Sequence, residues 1–140
     1  MNPSLTAVFY GLLINFAIIA SMFVIPLLRK GFFIWIGAFF ILGLALAVMA
    51  VKQKVEGKLK FFLILTGASA VVFVASIFLH NFIYDLFIFL FGSNFCINVG
   101  LKDELVFFFI ALLVCPIAFL VGAVGSIVLL ITSARWRTSR

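Results

Sequence analysis

Side chains able to carry chemistry are scarce in this sequence, which has four acids and a single histidine in 140 residues. One constellation stands out, His80, Asn81, Tyr84 and Asp85, set in an otherwise apolar stretch. On a continuous helix Ser76, His80 and Tyr84 follow each other four residues apart along one stripe, with Asn81 and Asp85 on the next, so the groups form a polar arc. An imidazole and a carboxylate at membrane depth suit a proton-sensitive or cation-attracting vestibule. His80 and Asp85 are five residues apart, about 140° around a helix, so they are no ready-made pair. The plainer expectation is that these groups mark the point where a helix leaves the hydrocarbon.

The two cysteines do not make a redox or metal centre. Cys96 lies in a polar loop and Cys115 in an apolar run, with no Cys-x-x-Cys motif and no Cys/His ligand set. Cys115 reads as a small packing residue, and Cys96 as at most a bridge between protomers. No nucleophile motif, zinc motif or phosphate loop occurs. The expectation is a protein without catalytic residues, cofactor or metal. Carboxylates at mid-membrane depth, which proton-coupled transport needs, are also missing.

The best-patterned feature is structural. Ala111, Cys115, Ala118, Gly122 and Gly125 recur at spacings of 4, 3, 4 and 3, and Ser126 extends the face. In lipid, small side chains let helix backbones approach closely, so this face is expected to pack against a helix of the same chain or of a second copy. Thr66-Gly67-Ala68-Ser69-Ala70, with Ala75 and Ser76, is expected to lie against it. Asn15, at mid-span, is expected to find an acceptor across a helix interface, and Pro116 to kink its helix near Leu112.

The elements holding these residues follow from composition. With 67% hydrophobic and 10% charged residues, the chain cannot cover a soluble core and belongs in a membrane. A bilayer core of roughly 30 Å takes about 20 helical residues, and backbone groups in lipid must be satisfied within the segment. The sequence predicts one all-α membrane domain, an up-down-up-down bundle with spans at about 5–28, 31–51, 61–81 and 105–131. The third apolar run continues to Phe91. That is too long for one simple span, so either the helix projects beyond the bilayer or, the reading favoured, it ends near His80 with 82–91 lying in the interface. The first run is too long, and lacks the charge and cleavage pattern, for a signal peptide, so it is expected to be retained.

Charge sets the orientation. Lys52, Lys54, Lys58, Lys60, Arg135, Arg137 and Arg140 fall on one side, against Arg29, Lys30 and Lys102 on the other. Cationic flanks resist translocation, so both termini are expected in the cytoplasm, in a plasma or inner membrane. The formal net charge of +6 is therefore a topology signal, with no implication of nucleic acid. The seven-cation rim is expected to attract anionic lipids. Two functional readings remain: a structural or accessory subunit joining itself or a larger membrane complex through small-residue faces, or an oligomeric channel or facilitator with its outer vestibule at His80 to Asp85.

Overall fold

The computed structural model describes residues 2–25, 31–53, 55, 57–92, 107 and 109–138. The described residues form four long helices, which we name α1 (Pro3–Val24), α2 (Phe32–Lys52), α3 (Gly57–Phe91) and α4 (Cys115–Thr138). A π-helical turn, Ile110–Val114, leads directly into α4. All four helical segments are long and apolar enough to cross a membrane, the last over Ile110–Ser133, and no strand occurs among the described residues. The protein is an all-α integral membrane protein built on four candidate spans.

The helix ends have local causes. Asn2 caps α1 by accepting the Ser4 N–H at 3.4 Å, and Pro3 occupies the first helical position, where its missing N–H costs nothing. At the other end Ile25 is extended, with φ −111° and ψ 100°, because it precedes Pro26. The first helix therefore ends at Val24, and the expected end at residue 28 lies outside the described residues.

The third helix corrects a larger expectation. It does not end near His80 but runs unbroken for 35 residues. No breaker falls between His80 and Phe91, and the stop comes at Gly92, whose φ of +77° and N–H bond to Ile88 O at 2.9 Å form a left-handed C-cap. The last three turns carry exposed Phe82, Leu86, Phe89 and Leu90. The fourth helix likewise continues past Ile131 to Thr138.

Pro116 has the expected local effect in a different form. Its ring removes one backbone donor from the ladder, and the chain adapts by widening the preceding turn, with Cys115 N–H bonding Ile110 O.

Packing is tightest between α2 and α3 and between α3 and α4. At the first crossing a Cβ added to Gly43 would lie 2.7 Å from Ala70 Cβ, and one added to Gly67 would lie 2.6 Å from Gly43 O and 2.9 Å from Ala47 N. The backbones touch, and the contacts climb one helix as they descend the other, so α2 and α3 are antiparallel. At the second crossing Gly122 meets Thr66, and Gly125 lies under the Phe62 ring, which makes α3 and α4 antiparallel too. This order is compatible with up-down topology throughout.

Asn15 is 3% exposed, and its Nδ2 donates to Trp35 O on α2 at 3.3 Å, as expected of a mid-span amide. Its Oδ1 is buried without a partner. Because such interhelical bonds average below about 1 kcal/mol in membranes, Asn15→Leu should change unfolding free energy by no more than about 1 kcal/mol in either direction. Reversible denaturation in mixed micelles measures this. A loss several times larger would mean that the amide organises the α1–α2 interface.

Candidate functional site

Four phenylalanines, one from each helix, meet in the middle of the bundle. Phe16 of α1 stacks on Phe119 of α4 with ring centroids 4.5 Å apart. Phe39 of α2 lies 5.5 Å from Phe119 and 6.1 Å from Phe16, and Phe73 of α3 stands edge-on to Phe39 at 6.1 Å and 89°. Aromatic pairs at such separations are worth about 0.5–1.5 kcal/mol each beyond the area they bury. Their spacing along the chain has no local period. The tier arises only when the four helices take their register, so no motif in the sequence announces it.

The tier divides the bundle into two unlike halves. Toward the loop between α2 and α3, the Gly43–Gly67 and Gly122–Thr66 approaches bring backbones into contact. In the other half bulky rings stand between helices, and the π turn and Pro116 interrupt α4. The result is a chamber of about 580 Å³ among all four helices. Phe32, Phe107 and Leu112 add to its apolar wall, and the polar groups come mainly from α3, as Ser69, Ser76, His80 and Asn81. The α3 positions 69, 73, 76 and 80 recur at 4, 3 and 4, a single face of the helix. Cys115 of α4 and Ala111 of the π turn also line it, the thiol buried and free. α1 packs chiefly on α2 and meets α4 through the Phe16 and Phe119 rings.

The expected polar arc is split by this geometry. His80, half-buried, and Asn81, exposed and donating from Nδ2 to Ile77 O at 2.8 Å, border the chamber. Tyr84, 40% exposed, and Asp85, also exposed, lie further along α3 and do not line it. The reason is length, since α1 ends at Val24 while α3 continues to Phe91.

The small-residue face lies inside the chain. Ala111, Cys115, Gly122 and Ser126 are buried and Ala118 and Gly125 are half-buried, with Gly122 and Gly125 against Thr66 and Phe62 of α3. Ser126 is fully buried and its hydroxyl has no partner among the described residues. The partner side of this interface includes Thr66 as expected, whereas Gly67 faces α2 through Gly43, a contact the sequence reading did not single out. Hydroxyls here are mostly satisfied within their own helix, Thr66 by Phe62 O at 2.8 Å and Ser69 by Thr66 O at 2.9 Å.

Lys52 and Lys58 are exposed and Lys60 half-buried, at the adjoining ends of α2 and α3. The other expected topology residues, Arg29, Lys30, Lys54, Lys102 and Arg140, and Cys96, lie outside the described residues, as do the side chains of Arg135 and Arg137. Among the described residues no group of three or more His, Cys, Asp or Glu is placed to hold a metal ion. No protein-family model, curated protein or solved structure matches the chain.

Proposed function

We propose that this protein is a non-enzymatic membrane subunit that acts by holding a lipid-soluble molecule in the chamber among its four helices. The observation that carries this reading is the size of the chamber set against its wall. A partly open cleft of this size between helices leaves its apolar wall without packing partners unless an acyl chain or another apolar molecule fills it. The wall is aromatic and aliphatic with a few polar groups grouped on α3, the usual make-up of a small-molecule site. The α1–α4 seam, closed by ring contacts in place of backbone packing, gives such a molecule a route from the bilayer.

The accessory role follows from the same reading, because a binding event between helices can be passed to a larger complex. Association would use surfaces other than the small-residue face, which is occupied by the chain's own α3. The cationic end at Lys52, Lys58 and Lys60 would sit at the cytoplasmic surface against anionic lipids, with both termini on that side.

A facilitator is the second reading, favoured by His80 and Asn81 bordering the chamber. With this wall it would pass apolar solutes and not ions.

The full chain reconstituted in lipid nanodiscs should bind an environment-sensitive apolar fluorophore saturably, at one per chain. Fluorescence that only rises in proportion to probe, as in empty discs, contradicts the proposal. Probe flux across protein-bearing liposomes at the rate of bare liposomes removes the facilitator.

A further inference from the structure

We propose that the chamber selects an uncharged amphiphile, with its apolar body on the phenylalanine tier and a hydroxyl-type head hydrogen-bonded at Ser76, beside His80. This rests on the reading of the chamber as a binding site and specifies the chemistry of what it takes.

The first observation is the wall. Among the described residues that line the chamber none is Lys, Arg, Asp or Glu. A phosphate, carboxylate or ammonium head placed there would lose its hydration without gaining a counter-charge, a loss that neutral hydrogen bonds do not offset. Charged lipids are therefore poor occupants, and so are hydrated ions.

The second observation is Ser76. It is 5% exposed and lines the chamber, and its hydroxyl forms no hydrogen bond among the described residues. Ser21, Thr66, Ser69, Thr132 and Ser133 all donate to a carbonyl three or four residues earlier. Ser76 departs from this habit where the wall faces open space. Ser126 is likewise unbonded, but its hydroxyl oxygen is sealed within the bundle, away from the chamber lining. A buried hydroxyl has both donor and acceptor capacity, and an uncharged head that also donates and accepts can use both.

The third observation is placement. Ser76 and His80 lie one turn apart on the same face of α3, on the far side of Phe73 from the glycine crossings. From Phe73 to His80 the helix rises about 10 Å, so an amphiphile with its head at Ser76 has its body on the rings. The head then sits toward the end of the chamber bordered by Asn81, and the chain points to mid-bilayer.

The test is competition against the apolar fluorophore in nanodiscs, using three probes of equal chain length, a straight-chain alcohol, the alkane and the quaternary ammonium, at equal mole fraction in the bilayer. The alcohol should compete about five-fold better than the alkane, the worth of one neutral hydrogen bond, and the ammonium should compete least. Ser76→Ala, which replaces an unbonded hydroxyl by hydrogen, should bring the alcohol down to the alkane and leave the alkane unchanged. Equal competition by alcohol and alkane in the natural protein, a preference that survives Ser76→Ala, or strong competition by the ammonium overturns the selectivity. In each of those cases the fluorophore still binds and the chamber remains a site. Absence of any saturable binding overturns both proposals together.

Discussion

Gly122→Ala should lower the unfolding free energy of the protein in detergent by about 3 kcal/mol, toward the upper end of what overpacking costs. A Cβ at this position would lie 2.5 Å from Thr66 Oγ1, 2.8 Å from Thr66 N and 3.0 Å from Phe62 O. Two of these atoms are backbone, so relief requires α3 and α4 to move apart and lose close packing along the crossing, the main attraction between helices in lipid. Gly125→Ala should cost less than about 1 kcal/mol, because its neighbours at 2.6–2.7 Å are ring atoms of Phe62, which can turn aside. Gly11→Ala and Gly37→Ala serve as controls. Nothing lies within 4 Å of the added Cβ at either position, and removing a helical glycine should gain up to about 1 kcal/mol. Reversible denaturation of the four variants checks the order. If Gly122→Ala changed oligomer size on a sizing column and left unfolding unchanged, the face would be serving a contact between chains.

Ala111→Phe should abolish fluorophore binding, with at least a ten-fold loss, about 1.4 kcal/mol, while leaving the melting temperature unchanged or raised. Ala111 is 3% exposed, belongs to the π turn and lines the chamber. Overpacking is least costly where open space adjoins the site, and although the Ala111 methyl itself is covered, the chamber it lines holds about 580 Å³. A phenyl ring placed there joins Phe16, Phe39 and Phe119 and occupies the position of the ligand body. The pairing of lost binding with retained stability separates this effect from unfolding, since Gly122→Ala would lose both. Binding and melting measured on one preparation test it, and undiminished binding in a folded variant would place the probe elsewhere on the protein.

The sequence was most informative where physics acts locally. Four spans, the close packing of Gly122 and Gly125, and the cross-helix bond of Asn15 all depend on short-range spacing or on the cost of polar groups in lipid. Helix ends were less accurate, because the deciding signals were single residues: Pro26 shortened α1 and Gly92 let α3 run on past His80. The polar arc was legible only as a helix face. Its division between chamber and overhang depends on where neighbouring helices stop. The phenylalanine tier was not legible at all, since Phe16, Phe39, Phe73 and Phe119 belong to four separate helices and 20 phenylalanines offer many other combinations. Glycine at 43 had the same difficulty, as its meaning lies in Gly67 on the next helix.

The most direct measurement is mass spectrometry of small molecules retained by the full chain after isolation in discs of its native membrane, with Ala111→Phe prepared in parallel. One uncharged amphiphile per chain is expected, enriched over the surrounding lipid and absent from the variant. Identical lipid profiles in the two preparations, matching the bulk membrane, would contradict it.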